Sequence, residues 1–371
     1  MAINGICGLI AAPDGSERRA RIRFSHQIES VEPLAQCGDD YIVPGFIDLQ
    51  INGSHGLEVM TASARELGEL ARHLANEGTT AFLPTAITAP LEQIVRVHDA
   101  IDEAIAAEVK DPAATILGMH LEGPFISTAR LGAHPRLNLE PCGEALEGIL
   151  ALARLRLITL APELDGALDA IRRFTAGGVA VSIGHSDATL EQARAGVAAG
   201  ARMFTHLFNA MRPLHHRDPG VAAAAMLPSE AIAAVIADGV HVHPELLRIV
   251  YRARGAEGMI LTTDKVGVAN ADSNRKIELG GKSIKVAEGA ARLSDGSLAG
   301  SLISMLDGMR TMVERVGVPV SHAAMMAATN PARALGLEDR GAIRAGARAD
   351  LLLLSRDLKL KSVFIGGREL Q

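Results

Sequence analysis

The chain has 371 residues, 48% apolar and 22% charged, enough to bury a large core, and at roughly 150 residues per domain its length alone suggests two or three domains, although a barrel can hold more in one. A net charge of −6 with scattered Lys and Arg offers no electrostatic footprint for nucleic acid, and no apolar run approaches the roughly 20 residues that span a bilayer. Three widely spaced cysteines without a C-x-x-C pair argue against a disulfide framework or Cys-rich zinc site, and a reducing cytoplasm fits best.

In chain order, short strand-like runs at 6–11 and 20–24 come first. Eight apolar runs follow at 41–49, 80–84, 114–121, 155–161, 179–184, 203–205, 231–237 and 259–263. They are too short for helices, are flanked by Gly, Pro or polar residues, and resemble buried parallel strands. Between them lie segments of helical period: 63–76 with Leu67, Leu70, Ala71 and Leu74 on one face, 91–109 with Ile94, Val97, Ile101 and Ile105, and 244–253 with Leu246, Leu247, Ile249 and Val250. Gly177-Gly178 and Gly200 read as helix C-terminal caps. Repeated eight times, this unit builds a (β/α)8 TIM-like barrel, whose chemistry sits at the C-terminal strand ends. A hairpin over 275–293, turning at Glu288-Gly289, is expected to overhang that mouth. Runs at 349–355 and 358–366 close the chain, and the two ends are expected to pair into one small β domain, residues 1–43 with 342–371, beside a catalytic barrel at 44–341.

Glu122, His185 and His206 each end an apolar run and so fall at one rim. One carboxylate and two imidazoles with an open position match a catalytic site for one divalent metal, zinc first, with iron or another ion also fitting. Asp264 ends the last run, where Asp serves either as a helix N-cap or as a general base beside a metal; the second reading is favoured. His241 reads as a substrate contact and His243 as a helix-entry residue before Pro244, while His215-His216 lie in a loop rich in proline and charge and read as surface. Asp48 is left open between a supporting partner and a turn former.

Longer motifs now stand out: Pro44-Gly45-Phe46-Ile47-Asp48, His120-Leu121-Glu122-Gly123-Pro124-Phe125, Gly132-Ala133-His134, Gly184-His185-Ser186, Thr205-His206-Leu207-Phe208-Asn209-Ala210-Met211 and Thr263-Asp264. Over nearly its whole length the chain resembles the N-acetylglucosamine-6-phosphate deacetylases of the amidohydrolase superfamily. The resemblance implies a barrel with a β-sandwich formed by both termini, a homodimer, and removal of acetate from the acetamido group of a small amino-sugar phosphate. It implies that Glu122, His185 and His206 hold the metal, that Asp264 activates water, and that His134 polarises the acetyl carbonyl. Ala133, Asn209, Ala210, Arg217, His241 and Leu298-Ala299-Gly300 match sugar and phosphate contacts, with Arg217 reaching into the neighbouring subunit's site.

Two departures stand out. Gln50-Ile51-Asn52 replaces the H-x-H of many amidohydrolases, and neutral amides are poor ligands for zinc-type ions, so one metal is expected rather than two. Lys265-Val266-Gly267, after Asp264, matches no contact expected of the family. The alternatives are a deacetylase of N-acetylgalactosamine 6-phosphate, another amidohydrolase-type amide hydrolysis, or a non-catalytic sugar-phosphate sensor, which has no need of a base beside a metal.

Overall fold

The computed structural model describes residues 4–11, 16–107, 111–271 and 277–370. Eight parallel strands follow one another in sequence order around a barrel: Phe46–Ile51, Thr79–Ile87, Met119–Glu122, Leu155–Leu160, Ala180–Ile183, Met203–Phe204, Ile232–Val235 and Met259–Leu261. Each lies within one of the expected runs or overlaps it. The helix Ala64–Asn76 starts where Ser63 accepts from Glu66 N–H and Glu66 reaches back to Ser63, a reciprocal cap of about 1 kcal/mol. It buries Leu67, Leu70, Ala71 and Leu74, and the helices Leu91–Ala106 and Pro244–Arg254 likewise bury one face. Residues 108 and 109 of the second expected helix lie outside the described residues.

Inside the barrel the side chains stack in layers, because residues i and i+2 of a strand share a face. Ile47, Leu49, Ala81, Leu83, Leu157, Met203, Ile232, Ala234 and Ile260 form an apolar floor, closed from below by Ala332 and Leu335. One step higher the layer is polar. His120 Nε2 lies 2.9 Å from Thr159 Oγ1, which is 2.8 Å from Thr205 Oγ1, itself 2.6 Å from Ser182 Oγ. One further step along the third strand, Glu122 opens onto the mouth.

The structure differs from the sequence reading in four places. The run at 41–49 is two strands: Tyr41–Pro44 pairs with Leu351–Leu354 in the terminal sheet, and only Phe46–Ile51 enters the barrel. The run at 114–121 breaks at Gly118, whose φ of +134° suits glycine, into Thr115–Ile116 and Met119–Glu122. The insertion after the eighth strand has four strands, Ile277–Leu279, Lys282–Ala287, Ala290–Arg292 and Leu298–Gly300, where one hairpin was expected; residues 275 and 276 lie outside the described residues. The termini contribute a further strand, Ile28–Pro33, to a sheet of seven.

That terminal sheet curls on itself. The strands carrying Phe24 and Phe364 stand four places apart in it, about 19 Å if it were flat, yet their rings meet edge to face at 5.2 Å. Ile22, Ile28, Ile42, Ala349 and Leu351 fill the space between, giving the small β-sandwich built from both ends of the chain. Among the described residues no helix is long and apolar enough to cross a membrane.

Candidate active site and metal centre

At the barrel mouth several strands turn sharply, and His185, His206, Phe208, Ala210 and Asp264 have φ between +29° and +77°. Such backbone costs of order 1–3 kcal/mol per residue and persists only where neighbours enforce it. Here it turns side chains into a cavity of about 240 Å³ shared by Glu122, His134, His185, His206 and Asp264.

Glu122 Oε1, His185 Nε2 and His206 Nε2 stand 3.0–3.2 Å apart from one another. All three residues are buried. Metal–ligand bonds of roughly 2.0–2.1 Å in a tetrahedron place ligand atoms about 3.3 Å apart, so the three atoms already sit close to the edge length of a coordination polyhedron. The protonation pattern agrees. His185 Nδ1 is 2.9 Å from the Arg130 carbonyl, which can only accept, so Nδ1 carries the proton and Nε2 turns a bare lone pair toward the other two donors. A lone pair facing a carboxylate oxygen and a second imidazole nitrogen suits a cation, and the three donors can hold one divalent ion. Burial opposes ionisation of Glu122, but the neighbouring imidazoles of His185, His134 and His206 hold its carboxyl well below the usual range.

Between Glu122 and Asp264 stands a neutral amide. Gln50 Nε2 donates to Glu122 Oε1 at 2.9 Å and to Asp264 Oδ1 at 3.1 Å, so the amide nitrogen bridges the two carboxylates, and a neutral amide is a poor ligand for a second zinc-type ion. Asn52 Nδ2 adds a bond to the same Asp264 oxygen at 2.7 Å. Both side-chain donors fall on Oδ1, which leaves Oδ2 as the oxygen to handle a proton. Burial, and then the charge of Glu122, push Asp264 up to about 7.

His134 is held in one tautomer. Its Nδ1 lies 2.8 Å from Thr88 Oγ1 and faces the Thr88 N–H, a donor, at 3.4 Å. The proton therefore sits on Nε2, which donates to Glu122 Oε2 at 3.2 Å. Burial, reinforced by His185, lowers its pKa to about 4, so the ring is a neutral donor.

Of the other residues singled out in the sequence, Ala133, Asn209, Ala210, His241, Leu298, Ala299 and Gly300 line the same cavity, Leu298–Gly300 arriving from the insertion. His241 is fixed by Asp238, 2.7 Å from its Nδ1. Gly300 (φ +123°) passes so near Asp264 that a Cβ there would stand 2.6 Å from its carbonyl oxygen. His243 caps the helix it precedes, accepting from Glu245 N–H. Arg217 is not brought into the cavity of its own chain: it lies exposed in the loop after Met211, beside His216. Asp48, left open above, is fully buried and accepts from Thr262 Oγ1, Thr263 N and Oγ1, and Gln50 N; it ties the first strand to the eighth. Sequence reasoning missed the bridging role of Gln50 and Asn52, whose signal was the Q-x-N departure, and missed Thr88 and Arg130, which carried none.

A model of the amidohydrolase family matches residues 41–370. The chain is 37% identical over 339 residues to the N-acetylglucosamine-6-phosphate deacetylase of Vibrio furnissii, spanning 88% of this chain and 82% of that one. It is 36% identical over 350 residues to the N-acetylgalactosamine-6-phosphate deacetylase of Escherichia coli O157:H7, spanning 92% of each. Its fold matches that of a mutant N-acetyl-D-glucosamine-6-phosphate deacetylase from Mycobacterium smegmatis, solved in complex with N-acetyl-D-glucosamine-6-phosphate, with a TM-score of 0.92, 32% identity and full coverage of both chains.

Proposed function

The chain belongs to the amidohydrolase family, and from that premise we propose that it removes acetate from N-acetylglucosamine 6-phosphate to leave glucosamine 6-phosphate. The observation that carries this reading is the convergence of Glu122, His185 and His206 on one point in the cavity that also holds Asp264. A divalent cation held by those three residues supplies Lewis-acid polarisation and makes water a competent nucleophile near neutral pH. Asp264, ionised, takes the proton of the attacking water on Oδ2 and returns it to the nitrogen that leaves as the amine. His134 donates its Nε2–H to the acetyl oxygen as negative charge develops there. Gln50 and Asn52 hold Oδ1 of Asp264, so the carboxylate does not have to reorganise during the transfer.

Ala133, Asn209, Ala210, His241 and the segment Leu298–Gly300 form the sugar-binding wall in this reading. Among the described residues lining the cavity there is no Lys or Arg, although a phosphate dianion calls for a charge-assisted donor beyond His241. Arg217, exposed and outside its own site, suits that task from the neighbouring subunit of a homodimer. Its three free cysteines, two of them exposed, suit a reducing cytoplasm.

The test is acetate release by the purified protein from the 6-phosphates of N-acetylglucosamine and N-acetylgalactosamine and from both unphosphorylated sugars. The gluco phosphate is expected to be the best substrate. Preference for the galacto phosphate would move the assignment to the activity named for the Escherichia coli relative, and no release from any of the four would overturn it.

A further inference from the structure

The segment after Asp264, which matched nothing in the sequence reading, is anchored residue by residue to the chain that leaves the first barrel strand. Lys265 O accepts from Asn52 N–H at 2.8 Å and from Gly53 N–H at 3.0 Å. Gly267 N–H donates to Glu58 Oε1 at 3.0 Å, and Gly267 O accepts from Gly56 N–H at 2.7 Å. From the other side Ser301 N–H donates to Asp264 O at 2.9 Å. Together with Asp264 N–H donating to Gln50 O at 3.0 Å, the single parallel bridge between Ile51 and Lys265, and the Asp48 tie to Thr262 and Thr263, these bonds close the barrel beyond the end of the eighth strand.

Within this seam Lys265 is anomalous. Its side chain is only 1% exposed, and its Nζ lies 2.6 Å from Glu77 Oε2. Glu77 is the C-cap of the helix Ala64–Asn76, and its other oxygen accepts from Asn270 at 2.9 Å. Burying an ammonium costs several kcal/mol, which a single ion pair barely offsets, and an unbranched apolar side chain of similar length fills such a place at least as stably. What a buried pair adds is register, since the ammonium has one partner to meet. Consecutive Cα atoms are about 3.8 Å apart, so the register of Lys265 against the helix sets the place of Asp264.

We propose that Lys265, clamped by Glu77, is a positioning residue that holds the Asp264 carboxylate at its working place in the mouth. The proposal rests on Asp264 being the base. The pair adds a side-chain anchor to this short backbone seam and keeps Asp264 in its left-handed conformation (φ +48°) without touching the substrate.

The experiment compares wild type, Lys265→Met, Lys265→Met with Glu77→Leu, Asp264→Asn, and Lys265→Met in the Asp264→Asn background, measuring kcat, KM, bound metal and melting temperature. The paired apolar variant is expected to melt no lower than a few degrees below wild type, with metal content and KM unchanged and kcat down by about 10²-fold, the effect of a misplacement of roughly 1 Å. In the Asp264→Asn background Lys265→Met should cost nothing further, because the group it positions no longer transfers protons. Wild-type kcat in the paired variant, additive losses in the Asp264→Asn background, or a joint loss of metal, KM and melting temperature would each overturn the proposal. Wild-type kcat in Asp264→Asn alone would instead overturn the function on which it rests.

Discussion

Replacing Asp264 with asparagine isolates proton transfer from everything else the carboxylate does. Its Oδ1 accepts from Gln50 Nε2 at 3.1 Å and Asn52 Nδ2 at 2.7 Å, and the carbonyl oxygen of an asparagine in the same rotamer keeps both bonds. The new amide nitrogen then stands where Oδ2 stood and can no longer accept a proton. With the hydrogen bonds preserved, the expected loss is that of general acid–base help alone, about 10²- to 10⁴-fold in kcat, or roughly 2.7–5.4 kcal/mol at 1.36 kcal/mol per decade. Acetate release at saturating substrate gives kcat, elemental analysis gives metal content, and calorimetry with a non-hydrolysed analogue gives binding; the last two should stay near wild type. The pH profile adds a sign. Burial and the Glu122 charge raise Asp264 to about 7, so as pH falls through that range the carboxylate takes up a proton and ceases to be a base. A cation at the ligand cluster pulls the midpoint lower. Wild-type kcat should therefore decline on the acid side, while the residual rate of the variant should show no such limb. An asparagine variant with wild-type kcat, or one that keeps the same acid limb, would refute the assignment.

Other expectations follow from neighbouring groups. Burial raises Glu58 to about 8, against a hydrogen bond from Gly267, and among the described residues its Oε2 has no hydrogen-bond partner. The folded chain thus keeps a proton that the unfolded chain releases near about 4.3, and this contribution to stability, full below that value, is lost as pH rises through about 8. Glu58→Gln should remove that decline, so thermal melts on either side of the window should differ less than in wild type; an unchanged difference would exclude Glu58 as its source. His185→Ala or His206→Ala should leave dialysed protein without bound metal, since two remaining protein ligands compete poorly with water; a full equivalent by elemental analysis would show a different centre. Arg217→Ala should lower kcat/KM for the phosphorylated sugar by about 2 kcal/mol more than for the unphosphorylated one. Mixing Arg217→Ala with Asp264→Asn chains should restore activity if the arginine serves the partner's site, whereas additive inactivity would place it in its own.

The barrel was legible because buried parallel strands are apolar on both faces and short, and because helix faces repeat with their own period. The split after Pro44 was not. Tyr41–Pro44 and Phe46–Ile51 are both buried, and hydrophobicity carries no mark of whether the burying neighbour is the terminal sheet or the barrel. The strand Ile28–Pro33 escaped for the opposite reason. Its outward residues Glu29 and Glu32 belong to a sheet edge, where alternation is weak.

At the mouth, residue types were readable while their states were not. Glu122, His185 and His206 announce themselves as strand-end donors, but a sequence does not say which imidazole nitrogen is bare. For His185 that depends on a carbonyl at Arg130, fifty-five positions away along the chain. For His134 it depends on Thr88, forty-six positions away. The two rings hence have opposite tautomers in one cavity: Nε2 of His185 is a lone pair suited to a cation, and Nε2 of His134 is a proton suited to an oxyanion. Identical side chains can take the two electrostatic roles of the proposed amide hydrolysis because their outward nitrogens meet different partners. Changing those partners, rather than the rings, is accordingly the more discriminating test: Thr88→Val removes the hydroxyl that lies 2.8 Å from His134 Nδ1 and leaves only the longer 3.4 Å bond from the Thr88 N–H to hold the tautomer. It should lower kcat while metal content holds, and a fall in bound metal instead would show that His134 and the cation site are not separable as this division of labour requires.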